Sequence, residues 1–195
     1  LNGDSLVNVS AEVRKKALVD YALPKNIKKM QADMEKYKIF YDKWFFESEL
    51  HKSGAVKAVV DLLTKKGLTY EKEGAVWYKN KEVLTQKLLK EGKSQKYIDN
   101  LELKDDVLIR QNGNPTYFTA DIAYHKNKFD RGFTTLIDVW GADHHGHVMR
   151  MKGAMDAIGY DGDKLNVVLM QLVKLVKDGE LVRMSKRTGK AIQLG

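Results

Sequence analysis

The sequence contains no cysteine, and no long apolar run passes through it uninterrupted. The missing cysteine excludes a disulfide framework and a thiolate zinc site, and it fits a reducing cytoplasm. The longest apolar stretch, at 165–176, is interrupted by Asn166, Gln171 and Lys174, so it predicts no membrane span. The first four residues resemble no signal peptide and lack an initiator methionine, so we expect a chain cut from something longer.

Positive charge exceeds negative charge along the 195 residues, with 34 Lys and Arg against 26 Asp and Glu, a net charge of +8. A basic surplus favours polyanionic partners such as nucleic acids. The lysines are spread along the chain rather than clustered, so an ordinary lysine-rich surface is an equal alternative.

Apolar spacing predicts helices first and then an alternation of helices and strands. Helical spacing runs through residues 6–50, where Pro24 is expected to separate two helices, and the aromatic run at 41–46 is a strand candidate. Further helices are predicted at 55–66, 82–91, 116–127 and 144–158, and strands at 69–72, 75–79, 107–109 and 134–140. The last part, 116–195, has the βα rhythm of a parallel sheet, so the predicted class is α/β.

The basic string Arg183-Met184-Ser185-Lys186-Arg187 is the strongest local signal. It resembles the KMSK signature of class I aminoacyl-tRNA synthetases, with Arg183 in place of the first lysine. Attack on the α-phosphate of ATP accumulates negative charge, which a mobile basic loop can stabilise in the transition state. Lys186 suits this role as a point charge on a flexible stem, and Ser185 can hold the loop. Taken alone, the short match favours a solvated basic turn.

A second signal follows the strand predicted at 134–140. The run Val139-Trp140-Gly141-Ala142-Asp143-His144-His145-Gly146-His147 opens a helix at the strand's carboxyl end, where parallel α/β sheets bind ligands. Gly141 lets the backbone approach a nucleoside closely. Asp143 can accept hydrogen bonds from ribose hydroxyls, and amides at the helix start can face a phosphate.

The histidines of this run allow two other interpretations. The letters of residues 144–147 fit H-x-G-H, the form of the other class I signature. That signature belongs after the first strand of the fold, and here only 35 residues separate His147 from Arg183, so we reject it. A zinc site is a weaker alternative, because His144 and His147 lie one helical turn apart but lack cysteine or carboxylate partners beyond Asp143.

With both signals in view, the chain resembles bacterial arginyl-tRNA synthetases over most of its length. The matching blocks lie at 38–50, 71–78, 117–132, 137–148, 159–161 and 184–187. The resemblance implies activation of L-arginine by ATP with Mg²⁺, transfer of arginine to the 3′ end of tRNA(Arg), and a cytoplasmic enzyme. We expect a monomer without structural zinc and without a membrane partner.

The resemblance also implies a domain organisation. Residues 1–35 would be a helical connecting region and residues 36–115 an inserted α/β subdomain. Residues 116–195 would be the second half of the Rossmann-like, parallel-sheet, class I catalytic domain, ending at the KMSK-like loop.

The resemblance assigns roles to individual residues. Tyr117 and Asp121 share one helix face and are implied to contact the arginine substrate, whose planar cation needs a carboxylate and an aromatic surface. His145 is implied to lie beside them, at the junction with the ATP pocket. The implied ATP-binding residues are Gly141, Asp143, His144, His147 and Met184, and the implied catalytic residues are Arg183, Ser185 and Lys186. No metal ligand is implied.

The chain departs from the family at Asp106, where an arginine is usual, and in the Lys- and Gln-rich stretch 80–101.

Three alternative functions stay open. Another class I synthetase would lack the Tyr117–Asp121 block and often carry cysteine-rich zinc knuckles. A nucleic-acid-binding module would need a contiguous basic groove with stacking aromatics. A paralogue without charging activity is compatible with every residue present.

The chain contains neither the upstream HIGH signature nor the anticodon-binding helical domain that the resemblance implies. Because positioning both reactants supplies much of the rate, we expect the isolated 195 residues to be inactive. A charging assay with the purified chain, ATP, arginine and tRNA checks this, and formation of arginyl-tRNA above the enzyme-free level would contradict it.

Overall fold

The structure is a computed structural model that describes residues 3–171, 173–177 and 179–181. The chain divides into two compact units, one of Phe46–Val173 and the other of Leu1–Phe45 with Lys174–Gly195. Helices occur together with parallel and antiparallel sheets, so the predicted α/β class is confirmed in its general form. Within the described ranges, no helix is long and apolar enough to cross a membrane.

The first helix, α1 (Ala11–Lys36), is continuous, so the predicted break at Pro24 is wrong. Ser10 caps its start by accepting a hydrogen bond from the Val13 amide at 3.3 Å. A proline inside a helix removes one backbone hydrogen bond and costs about 3 kcal/mol. Ion pairs four residues apart, such as Lys16–Asp20 and Lys29–Asp33, each offset roughly 0.3 kcal/mol of that cost.

The aromatic run at 41–46 forms no strand, so this prediction is also wrong. The rings of Tyr41 and Trp44 instead pack edge to face, with centroids 5.4 Å apart. Aromatic residues favour strands only where neighbouring strands offer them a surface to pack on. A short antiparallel hairpin of β6 (Val176–Lys177) and β7 (Glu180–Leu181) belongs to the same unit as residues 41–45.

The larger unit begins with α2 (Glu47–Lys52) and α3 (Ala55–Lys65), followed by an antiparallel sheet. Its strands are β1 (Thr69–Lys72), β2 (Ala75–Tyr78) and β3 (Asp106–Ile109), paired in that order, with α4 (Asn80–Lys90) and α5 (Gln95–Asp99) between the last two. Glu73 and Gly74 join β1 to β2 with φ of 53° and 72°. Two positive φ values fit the tight turn that matches the twist of a hairpin, and the strands predicted at 69–72 and 75–79 are confirmed.

The parallel part of the same unit follows. It comprises α6 (Tyr117–Asp130), β4 (Leu136–Gly141), a 3₁₀ turn (Ala142–His144), α7 (His145–Ile158) and β5 (Leu165–Met170). β4 and β5 pair in parallel from Leu136 opposite Leu165 to Gly141 opposite Met170. The strand–helix–strand unit predicted from the apolar spacing is thereby confirmed. Met151, Ala154 and Met155 of α7 are completely buried beneath this pair of strands and the neighbouring helices.

The two faces of the β4–β5 pair differ in burial. On one face Leu136, Asp138 and Leu165 are buried. On the other, Ile137 and Val139 are 69% and 66% exposed, and Val168 and Met170 are exposed beside them. These four residues are called the open face below. Parallel sheets normally have both faces covered, so this apolar surface is unusual for the fold.

Gly162 follows α7 in a crowded turn, and we expect alanine there to destabilise the fold. An added Cβ would lie 2.3 Å from the backbone oxygen of Lys152, and only a movement of the backbone could relieve this contact. Overpacking of this kind costs about 1–3 kcal/mol, measurable as a lower unfolding midpoint of the whole protein in urea. Gly146→Ala is the control, because its Cβ would meet nothing within 4 Å. Equal stability of the two variants would refute the packing argument.

Candidate functional site

A cavity of about 490 Å³ lies at the carboxyl end of β4, where α6 and the start of α7 meet. This is the position at which parallel α/β sheets bind ligands. We call it the histidine cavity. Its lining consists of Asp121, Tyr124, His125, Lys128, Ile137, Asp138, Val139, Trp140, Gly141, His144 and His147.

Four of the residues predicted from the sequence meet in this cavity, namely Asp121, Gly141, His144 and His147. Tyr117, at the first turn of α6, is 79% exposed and is not part of the lining. The Asp143 side chain also faces solvent beyond the lining, and His145 borders a different cavity. The predicted residues Arg183, Met184, Ser185 and Lys186 lie outside the described part of the chain.

Asp121 presents an accessible carboxylate to the cavity. Its side chain is 45% exposed, and its Oδ2 lies 3.3 Å from Nε2 of His147, an ion-pair contact without hydrogen-bond geometry. His147 is held in place by rings, with its centroid 5.2 Å from Trp140 and 5.6 Å from Phe118. The Asp121 carboxylate therefore keeps the capacity to accept hydrogen bonds from a ligand.

Asp138 is the second carboxylate of the cavity, and it is buried and fully paired. Its Oδ2 lies 2.5 Å from Nε2 of His125, and its Oδ1 accepts a hydrogen bond from Nζ of Lys128 at 2.7 Å. Burial alone would raise the pKa of Asp138, but the hydrogen bonds from His125 and Lys128 outweigh it and hold the pKa below its usual 3.8. Asp138 is therefore ionised at neutral pH.

His125 is enclosed by two acceptors. Nδ1 lies 2.7 Å from the backbone oxygen of Asp121, and Nε2 faces the Asp138 carboxylate. A carbonyl oxygen and an ionised carboxylate can only accept hydrogen bonds, so His125 satisfies both contacts when each of its ring nitrogens donates. The hydrogen-bond pattern favours the doubly protonated form of His125, and its two contacts tie α6 to β4.

Aromatic rings form one wall of the cavity around Trp140. Its ring centroid lies 6.2 Å from those of His125 and His144 and 5.2 Å from that of His147. Such a wall suits a planar group, either a guanidinium or a nucleobase, because both stack on aromatic faces. In residues 3–171, 173–177 and 179–181, no group of three His, Asp or Glu side chains is arranged to hold a metal ion.

A second cavity of about 920 Å³ lies between α4, residues 101–106 and α7, and His145 is on its border. Asp106, the departure from the family pattern, pairs here with Arg150, whose Nε donates to Oδ2 at 3.0 Å and whose Nη2 donates to Oδ1. Burial raises the pKa of Asp106, and the charge of Arg150 offsets this only in part. Asp106 thus supplies the acidic partner of a salt bridge, where the family's usual arginine would supply a basic side chain.

Sequence reasoning missed the His125–Asp138–Lys128 cluster. One signal was available, because Asp138 is the only acid inside an otherwise apolar strand, at a position that alternation assigns to the buried face. A buried acid needs cationic partners. Which cations supply them depends on how α6 lies on β4, and periodicity does not contain that information.

Comparisons with known proteins relate the chain to one kind of enzyme. A scan against protein-family models finds no match. The chain is 51% identical over all of its 195 residues to an arginine–tRNA ligase of Ruminiclostridium cellulolyticum, and 54% identical to one of Caldanaerobacter subterraneus. It spans about a third, 32%, of the length of each of these curated relatives. The resemblance inferred from the sequence motifs is thereby confirmed.

Two solved structures share the fold. A crystal structure assigned as an arginyl-tRNA synthetase from Campylobacter jejuni superposes with a TM-score of 0.70 at 36% identity, over 90% of this chain and 34% of that one. The arginyl-tRNA synthetase of Thermus thermophilus superposes with a TM-score of 0.65 at 16% identity, over 82% of this chain and 31% of that one. The second likeness concerns the fold alone.

The pairing of Asp138 makes a prediction for acid stability. A carboxyl group whose pKa is lowered by folding stabilises the protein above its unfolded pKa and ceases to do so as pH falls through the folded pKa. We expect Asp138→Asn to lower the free energy of unfolding at pH 7 by about 3 kcal/mol, because the buried His125 and the half-buried Lys128 lose the carboxylate that they share. The difference from wild type should shrink below pH 3.8, the ordinary pKa of the group.

Thermal unfolding of the whole protein and of the Asp138→Asn variant between pH 3 and pH 7 measures this. A difference between the two that stays constant over the range would show that Asp138 acts through shape alone.

Proposed function

We propose that this chain is the part of an arginine–tRNA ligase that holds the arginine pocket and one side of the ATP site. The whole enzyme would activate L-arginine with ATP to arginyl-adenylate and transfer the arginyl group to the 3′ end of tRNA(Arg). The match of the entire chain to a third of such ligases supports this proposal. The observation that carries it is the accessible Asp121 carboxylate beside an aromatic wall in the histidine cavity.

Asp121 is the proposed partner of the arginine side chain. A guanidinium group offers five N–H donors in one plane and pairs best with a carboxylate that has two free acceptors. Asp121 meets that requirement because His147 contacts it without using a hydrogen bond. Tyr117 stands one helical turn before Asp121, and we propose that its ring or hydroxyl contacts the bound amino acid from the cavity's edge. His145 is proposed to support the same region.

The nucleotide is proposed to bind at the end of β4. Gly141 leaves room for the ribose, Asp143 offers an accessible carboxylate to its hydroxyls, and His144 and His147 line the cavity next to it. Backbone amides near the start of α7 suit a phosphate. Mg²⁺ would come with ATP, since magnesium is held mainly by phosphates and water and needs no cage of protein ligands.

The chemistry proposed for the whole enzyme is an attack of the arginine carboxylate on the α-phosphate, which expels pyrophosphate. Met184 is proposed to lie against the nucleotide. Arg183, Ser185 and Lys186 are proposed to stabilise the charge that develops on the phosphates. Closing both substrates into one site makes the reaction effectively intramolecular, which accounts for much of the rate in such enzymes.

The β4–α7–β5 unit is proposed to be the second half of a Rossmann-like domain. Residues 1–35 would then be a connecting region and residues 36–115 an inserted subdomain. The open face supports this proposal, because four exposed apolar residues on a parallel sheet call for a covering layer, and two strands alone make an incomplete sheet. The missing strands and covering layer would come from the two thirds of the ligase length that this chain does not span.

The proposed partners are tRNA(Arg), L-arginine and ATP, in a cytoplasmic monomer. The net charge of +8 supports an RNA partner. Another class I synthetase, or a paralogue that no longer charges tRNA, is the alternative. The Asp121 carboxylate favours a cationic amino acid over the neutral substrates that most other members of the class would take.

Substitution of Asp121 tests the proposal. In the whole protein, Asp121→Ala should lower kcat/KM for arginine in tRNA charging by about a hundredfold or more, because a desolvated guanidinium would lose its counter-charge. Asp61→Ala is the matched control, since Asp61 is a comparably exposed acid that pairs with Lys57 on the surface of α3. Charging should be assayed with each of the twenty amino acids.

Each result of this assay is decisive. Charging with arginine alone, lost in Asp121→Ala and kept in Asp61→Ala, supports the ligase and its pocket. Charging with a different amino acid keeps the class and refutes the pocket. No charging by the folded wild-type protein would favour the paralogue.

A further inference from the structure

The histidine cavity contains two carboxylates, although a guanidinium needs only one. Asp121 and Asp138 both belong to its lining, and His125 joins them, with Nδ1 on the backbone oxygen of Asp121 and Nε2 on the carboxylate of Asp138. A cationic substrate entering such a cavity would meet two competing anions. An arginine held at the wrong one would not present its own carboxylate correctly.

Asp138 is removed from this competition by its partners. Both of its oxygens are occupied, at 2.5 Å by His125 and at 2.7 Å by Lys128, and its side chain is 8% exposed. With both ring nitrogens of His125 donating, His125 and Lys128 each carry one positive charge and Asp138 one negative charge, so the cluster then bears a net charge of +1. That charge repels a cation from this end of the cavity, whereas Asp121 attracts it to the other.

Lys128 is built into the cavity and does not extend into solvent. Its side chain is 16% exposed, and its Nζ lies 4.5 Å from the centroid of the Tyr124 ring while it binds Asp138. A surface lysine held in such a position would lose side-chain entropy, and an exposed ion pair would add little stability to offset that loss. The contacts on both sides of Nζ fix its charge beside Asp138.

We propose that His125 and Lys128 determine substrate placement: by neutralising Asp138, they leave Asp121 as the carboxylate to which a guanidinium binds, so that arginine has one binding position. This inference rests on the proposed function. It assigns Lys128 and His125 as positioning residues, which act through Asp138 and do not touch the reacting atoms.

Lys128→Met gives the test, because methionine keeps most of the length of the side chain and removes its charge. The Oδ1 of Asp138 then becomes free, and a fraction of the bound arginine should occupy the wrong carboxylate. Unproductive binding lowers kcat and KM by the same factor and leaves kcat/KM unchanged. We expect a decrease of roughly fivefold in both parameters, as for a partly exposed ion pair.

A second substitution distinguishes placement from structural damage. In the Lys128→Met, Asp138→Asn double variant the competing anion is absent, so kcat and KM should both return towards wild-type values. Lys126→Met is the matched control on the same helix, since Lys126 pairs with Asp130 away from the cavity, and its kinetic parameters should equal those of wild type. If Lys128→Met folds poorly, His125→Gln takes its place, because glutamine keeps a donor near Asp138 and cannot carry a positive charge. His125→Gln should then lower kcat and KM as expected for Lys128→Met.

The measurements are kcat and KM for arginine in tRNA charging by the whole protein. A raised KM in Lys128→Met, or a double variant worse than either single one, would mean that the cluster has only a structural role, and it would overturn this inference while leaving the proposed function intact. Parameters of Lys128→Met equal to those of Lys126→Met would overturn it as well. If the wild-type protein does not charge tRNA with arginine, the proposed function fails and this inference fails with it.

Discussion

A carboxylate buried in a sheet needs hydrogen-bond donors or cations beside it, and the arrangement of the candidate site depends on how Asp138 obtains them. Its strand, β4, is otherwise apolar on the buried face, so the compensating cations must come from the helix that covers it. His125 and Lys128 lie three residues apart and thus reach the strand from one side of α6. Because that arrangement sets the rotation of α6, it also determines that Asp121, one turn before His125, faces the cavity.

Much of the fold follows from local rules, and the exceptions have physical causes. Alternating apolar and polar residues, turn residues and helical spacing of apolar residues mark the strands and helices of the β1–β2 hairpin and the β4–α7–β5 unit. The sequence therefore predicts these elements well. Pro24 was expected to end a helix, but a single lost hydrogen bond is tolerated in a helix of 26 residues. The aromatic run at 41–46 was expected to be a strand, but propensity acts only where a neighbouring strand is available.

The site was predictable in part, because the family motifs identify residues whereas the fold determines which of them meet. Asp121, Gly141, His144 and His147 line one cavity, and their roles there remain a proposal. Tyr117 and His145 do not join them, since a side chain on the first turn of a helix can point away from the next turn's neighbours. The cluster around Asp138 joins residues that are 10 and 13 positions apart on two elements, and only their packing reveals it.

The open face has a consequence for how such a protein is made. In the proposed domain, β4 would pair with strands that are distant in the chain, and contacts between distant segments form slowly because loop closure costs entropy. Until the proposed strands and covering layer are in place, Ile137, Val139, Val168 and Met170 would present a bare apolar surface to solvent. In the proposed domain, this surface would therefore be, during synthesis, a natural binding site for a molecular chaperone.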